Sequence, residues 1–190
     1  MTSRLTIIST AFSGDPVVIV LASGRGERFF ASGGTTSKLQ ALLAGRTVLE
    51  RTLAAVQASG LPWHLVDAGY PGMGDSIAAG VRATSDAPAW LILPGDLPLI
   101  QASTLRSIAA APAGLDVVVP FVDDRRGHPV RFSARFRSDL MNLTGIQGAA
   151  SLIAAQKATR WQVDDIGCTF DIDTLQDLRQ AERLIEALSR

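Results

Sequence analysis

The sequence predicts an α/β protein with a mostly parallel sheet covered on both faces by helices. Three observations carry that expectation. Short runs of apolar, β-branched residues, led by Val17-Val18-Ile19-Val20-Leu21-Ala22, alternate with amphipathic stretches of helical period. Hydrophobic residues make up 47% of the 190 positions, which suits a sheet buried on both faces. The side chains best suited to chemistry follow strands, where the ligand crevice of such sheets lies.

Taken in order, residues 1–16 read as an extension or an added edge strand, and 17–190 as one domain. The mixed segment Leu5–Phe12 is broken by Ser and Thr and does not suit a secretory leader, so a cytoplasmic location is expected. Val17–Ala22 is the first strand. Ser23–Ser37 is a long loop rich in Gly, Ser and Thr, a length usually reserved for function. Thr47 and Glu50 fit a capping box ahead of a stripe at Val48, Leu49, Thr52, Leu53 and Val56, which Gly60 and Pro62 end.

Trp63–Asp67 is a short strand. Asp75 or Ser76 can cap a helix to about Thr84. Trp90–Leu93 is a strand ending at Pro94-Gly95-Asp96. A helix follows over 103–110, with strands at 116–121 and 130–132. Asp123–Gly127 between them reads as a solvated turn. Helices are expected at 133–140 and 148–158, with one or two strands in 162–171. The last helix starts at Thr174 and buries Leu178, Ala181, Leu184, Ile185 and Leu188.

Composition narrows the function. The formal net charge is zero, so no broad basic field points to nucleic acid. No apolar run reaches the length of a membrane span. Cys168 is the only cysteine, which excludes a disulfide framework, and burial is its simplest reading. His64, Trp63, Trp90 and Trp161 read as packing residues.

The organising stretch is Leu21-Ala22-Ser23-Gly24-Arg25-Gly26-Glu27-Arg28 with Lys38 beyond it. Two glycines let the backbone turn sharply with its N–H groups outward, and Arg28 and Lys38 add positive charge, so the stretch can seat phosphates. A dinucleotide fingerprint fails because Phe29 stands where the third Gly belongs. A P-loop fails because Lys38 lies between Ser37 and Leu39. Asp96 sits on a path fixed by Pro94, Gly95 and Pro98. Asp171 and Asp173 flank Ile172 and, in an extended chain, would point the same way. Asp96 with Asp173 suits a hard cation held by one or two carboxylates plus phosphates. Asp173 equally suits a helix cap beside Thr174, and Asp171 an exposed strand-end acid. Gly72-Met73-Gly74-Asp75-Ser76 opens a helix whose N-terminus could meet an anion or a base edge.

Six blocks in order, from Leu21–Phe29 through Lys38-Leu39, Gly72–Ser76, Pro94–Leu99 and Gly127–Val130 to Asp171–Leu178, give the chain its resemblance. It resembles the MobA-like nucleotidyltransferases, most closely the molybdenum cofactor cytidylyltransferase branch. The resemblance implies a three-layer α/β/α, Rossmann-like nucleotidyltransferase fold. It also implies Mg²⁺-dependent transfer of a nucleotidyl group, CMP from CTP, to molybdopterin or a related phosphorylated small molecule, with release of pyrophosphate.

By the same resemblance, Lys38, Arg28 and Asp96 are catalytic and Asp96 and Asp173 hold the metal. Leu21, Ala22, Ser23, Gly24, Arg25, Gly26, Lys38, Gly72, Gly74 and Ser76 bind the nucleotide, and Asp171 and His128 support the site. Ser23 stands where cytidylyl-transferring members usually have Ala and guanylyl-transferring members Gly. A molybdoenzyme or its chaperone is the implied protein partner. Other readings are a sugar-phosphate or other metabolite nucleotidyltransferase, and a non-catalytic nucleotide-binding accessory protein.

Three departures stand out. A single strand fills the region before Gly72 where relatives have more. The loop from Arg28 to Lys38 is enlarged. Gly145-Ile146-Gln147-Gly148-Ala149-Ala150 lacks the acid and the Arg of the family's Gly-Asp-x-Gly-Ala-Arg.

Overall fold

The computed structural model describes residues 14–24, 26–155 and 157–188. Residues 1–13, Arg25 and the Leu188 side chain lie outside the described residues, and 14–16 form no strand. The elements in order are β1 (Val17–Leu21), α1 (Glu27–Ala31), β2 (Leu42–Leu43), β3 (Arg46–Thr47), α2 (Val48–Ser59), β4 (Trp63–Val66), α3 (Met73–Ala83), β5 (Ala89–Pro94) and α4 (Ala102–Ala109). They continue as β6 (Val117–Val122), β7 (Arg125–Arg126), β8 (Val130–Ser133), α5 (Arg137–Met141), α6 (Ala150–Ala155), β9 (Thr159–Gln162) and α7 (Leu175–Leu188).

The main sheet runs β4-β1-β5-β8-β6-β7, with β9 beside β6. β1 is parallel to both β4 and β5, and β6 to β9, whereas β8 runs antiparallel between β5 and β6. Every residue of β1 is buried because it has a helix layer on each face. Val17, Ile19 and Leu21 pack with Ile77 and Val81 of α3 and Leu140 of α5. Val18 and Val20 face the other way, toward Val56 of α2 and Leu105 and Ile108 of α4. This is the expected three-layer architecture. No described helix is long and apolar enough to cross a membrane.

Local expectations fail where a tertiary partner outbids a local cap. The 23–37 loop contains the short helix α1, whose Phe29 is buried in a third cluster with Leu39, Leu43, Val48, Ile172 and Ala181. Helix α3 starts at Met73 without a side-chain cap, because Asp75 accepts the Gly145 N–H and Ser76 hydrogen-bonds the Gly72 carbonyl. Ser133 remains in β8, its hydroxyl on Asp116, so the following helix opens as a 3₁₀ turn, Ala134–Phe136. Helix α6 ends at Ala155, and the chain extends again at Thr159 to pair with β6. The strand expected in 162–171 therefore lies earlier, and Ile166–Thr169 is a 3₁₀ turn. The turn at Asp123–Gly127 is a tight hairpin, with β7 paired to β6. Trp63 and Trp90 are buried as expected, while Trp161 is half-buried and donates to Ser107.

Candidate functional site

Two backbone hydrogen bonds gather three distant loops. The Gly95 N–H donates to the Leu21 carbonyl at 2.8 Å, tying the loop after β5 to the one after β1. The Ile172 N–H donates to the Asp96 carbonyl at 3.0 Å, bringing in the segment before α7. Ile172 is fully buried, so its neighbours Asp171 and Asp173 emerge into the crevice although they are in no strand. Upstream, the buried Asp165 pins the same segment by accepting from Gln101 N–H, Thr104 Oγ1 and Gly167 N–H.

Lys38 is the hub of the charges. Its Nζ lies 2.6 Å from Asp96 Oδ2 and 2.8 Å from Asp173 Oδ1. Arg28 Nη1 takes the other Asp173 oxygen at 2.5 Å. Lys38, Asp96 and Asp173 are only 13, 15 and 19% exposed, whereas Arg28 is 79% exposed, so three charges are packed and the fourth pairs with them from the solvent side. Gly26, before α1, is needed for its left-handed turn, φ 65°, since a Cβ there would make only ordinary contact with the Lys38 side chain at 3.4 Å.

Burial pulls the Lys38 ammonium down, but Asp96 and Asp173 together outweigh it and hold it above its ordinary value. Burial likewise pushes Asp173 up, and Lys38 and Arg28 reverse the sign, holding its carboxyl below the usual range. Asp171 has burial and two acidic neighbours against it and lies above its ordinary value. Asp173 does not cap α7. Asp177 accepts from the N–H groups of Asp173 and Thr174 and from the Thr174 hydroxyl, and Thr174 Oγ1 accepts from Asp177 N–H. That reciprocal cap leaves the Asp173 carboxylate to the crevice.

The donor set fits a hard divalent cation. Asp96 Oδ1 is buried with no hydrogen-bond partner, beside the Asp173 carboxylate. Among the described residues no group of three His, Cys, Asp or Glu side chains converges as a metal site. Two carboxylates match a cation that takes its remaining oxygens from phosphates and water.

Cavities open on both sides of this hub. The first, of about 370 Å³, is lined by Leu21, Ser23, Gly24, Lys38, Gly72, Ser76 and Asp96. Ser23 Oγ and Ser76 Oγ are hydrogen-bonded to each other at 2.6 Å on its wall. The second, of about 310 Å³, shares Lys38 and Asp96 and adds Arg28, Asp171, Asp173, His128, Arg126 and Thr169. Cys168 also borders it, but burial pushes its thiol up to about 11, so it is no thiolate nucleophile.

Other residues singled out from sequence sit elsewhere. Ala22 packs on the third core cluster and Gly26 caps α1. The Gly74 N–H is taken by the Gly145 carbonyl. Glu27, Tyr70, Met73 and Ile146 line the first cavity without having been foreseen. Arg126, read as part of a solvated turn, borders the second. A turn-like sequence hides such a role because only the hairpin register decides which of the two exposed arginines borders the cavity.

A family model described as MobA-like NTP transferase domain matches residues 54–160, more than half of the chain. "Bifunctional protein GlmU" from Stenotrophomonas maltophilia (strain R551-3) is 31% identical over 134 residues, covering 58% of this chain and 29% of that protein. The chain thus spans under a third of that relative's length. A nucleotidyl transferase from Methanothermobacter thermautotroptrophicus, Mth528, superposes with a TM-score of 0.74 at 21% identity, covering 92% of this chain and 100% of that one. Rv0371c from Mycobacterium tuberculosis H37Rv, in its complex with manganese, gives 0.70 at 22% identity, with 89% and 98% covered.

Proposed function

The chain belongs to the family of MobA-like NTP transferase domains, and from that premise we propose that residues 17–190 act as a Mg²⁺-dependent cytidylyltransferase. CMP passes from CTP to the phosphate of a small acceptor, molybdopterin or a relative of it, and pyrophosphate leaves. The observation that carries this reading is the convergence of Lys38, Asp96 and Asp173 between two adjoining cavities. One cavity takes the nucleotide and the other the acceptor, and the charged hub lies where the two react.

An acceptor phosphate oxygen forms a bond to the α-phosphorus while the bond from that phosphorus to the bridging oxygen breaks, and pyrophosphate carries off the electron pair. The acceptor is already ionised near neutral pH, so no general base is required. The task left to the protein is to bring anions together and hold them in line. Leu21, Ser23 and the open face at Gly24, where a Cβ would meet nothing within 4 Å, receive the nucleotide. Arg28 and Lys38 offset phosphate charge. Asp96 and Asp173 hold the cation, which supplies charge neutralisation and a template for the reacting oxygens. The manganese bound to the structurally similar Rv0371c supports a divalent-metal requirement.

Ser23 supports the choice of CTP. Its hydroxyl is fixed against Ser76, and its side chain narrows the cavity where a purine needs more room than a pyrimidine. The test is pyrophosphate release from each of the four triphosphates with Mg²⁺ and molybdopterin. CTP is expected to lead, and Asp96→Asn to abolish release while the protein stays folded. A preference for GTP overturns the base assignment. Full activity in Asp96→Asn removes Asp96 from the metal site.

A further inference from the structure

Six large hydrophobic side chains are exposed among the described residues, and three of them, Tyr70, Met73 and Ile146, line the first cavity. Single exposed apolar residues are ordinary, but a group gathered at one cavity marks a place that a ligand covers. The three come from two segments, the start of α3 with the turn before it and the loop before α6. Both backbones are pinned. The Tyr70 N–H donates to the Ala68 carbonyl at 2.8 Å. Gly145, next to Ile146, accepts from the Gly74 N–H at 2.8 Å and donates to Asp75 Oδ2 at 3.0 Å. The charges on the same cavity, Glu27, Lys38 and Asp96, belong to other parts of the chain. Ile146 also takes the place of the acid in the family's Gly-Asp-x-Gly-Ala-Arg, so the lining is apolar where that pattern is charged.

We propose that Tyr70, Met73 and Ile146 are the seat for the flat face of the nucleobase, with the triphosphate lying toward Lys38. A base has an apolar, polarisable face and a polar edge. Contact with the face gives affinity that every base shares, whereas choice between bases needs the edge or the space beside Ser23. The seat therefore sets how tightly a nucleotide binds and not which one. The inference rests on the first cavity being the nucleotide site and adds the residues that hold the base there.

Tyr70 is the only tyrosine of the chain, so labelling with 3-fluorotyrosine gives one ¹⁹F resonance at the seat. With Mg²⁺ present, CTP and GTP are expected to shift it. Tripolyphosphate, which has the phosphate chain without a base, is expected to leave it in place. By calorimetry, Ile146→Ser should weaken CTP and GTP alike by about tenfold and leave tripolyphosphate unaffected. Tyr70→Phe should bind CTP as the unaltered protein does, and Tyr70→Ser about tenfold or more weakly. A resonance that CTP does not move, or that tripolyphosphate moves as far, overturns the seat. So does Ile146→Ser binding CTP undiminished, or losing tripolyphosphate as well, since the loop would then serve the whole site. A changed ratio of CTP to GTP affinity in Ile146→Ser overturns the division between face and edge. Pyrophosphate release separates this inference from the reaction it rests on. Release from CTP with an unmoved resonance sinks the seat alone. A resonance moved by CTP and affinity lost in Ile146→Ser, with no pyrophosphate from any acceptor, sinks the transfer reading alone.

Discussion

Lys38 bridges the two carboxylates that suit a cation, so ammonium and metal compete for the same oxygens. Removing the ammonium should therefore affect metal binding and transfer in opposite directions. Lys38→Met is expected to bind Mn²⁺ more tightly without nucleotide, read by electron paramagnetic resonance, while transfer falls by about a hundredfold or more. Weaker Mn²⁺ binding in the variant would show that Lys38 assembles the acids without competing for them. The neighbouring aspartates divide their labour just as sharply. Asp173→Asn should lose transfer and leave the start of α7 intact, because Asp177 makes the cap, while the melting temperature falls by the lost ion pairs with Lys38 and Arg28. Asp177→Ala should cost about 1 kcal/mol of stability. The sequence alone left Asp173 between capping and chemistry, since Thr174 beside it reads the same either way. Only the hydrogen bonds of Asp177 separate the two roles.

At the scale of the element, the start of α3 shows how a glycine pattern can mislead. Gly72-Met73-Gly74 reads as a ligand loop, yet a Cβ on Gly74 would lie 2.7 Å from the Thr144 carbonyl oxygen. This glycine permits a close approach of two backbones, and its N–H is spent on Gly145. Gly74→Ala should therefore destabilise the protein by about 1–3 kcal/mol and expose 142–148 to protease. An unchanged melting temperature and cleavage pattern would show that the approach is not tight. The approach also explains why Ile146, 86% exposed overall, borders the first cavity. Helices α2 and α7 were legible because their stripes and caps are local. Strand β9 was misplaced because its pairing with β6 is set by a partner about 40 residues earlier.

Across the whole molecule, both histidines are packed in neutral form. Burial holds His64 and His128 below their ordinary value, with Asp67 and Asp96 opposing it respectively. The unfolded chain takes up protons near pH 6.5 that the folded one refuses. Stability is therefore full above about pH 6.5 and declines as pH falls through the depressed folded values. The melting temperature should be lower at pH 5.5 than at pH 7.5, and a flat profile between them would contradict the burial of both rings. The sequence by itself determined the α/β class, β1, the capped helices and the residue types able to seat phosphates and a cation, because period, caps and charge are properties of neighbouring residues. Only the tertiary structure decided that Ile172 hangs from the Asp96 carbonyl, that Lys38 spans two acids and that the exposed Arg126 borders the second cavity. Those outcomes depend on which strands pair and which side chains the core accepts, and contacts between residues far apart in the chain leave no mark on its local pattern.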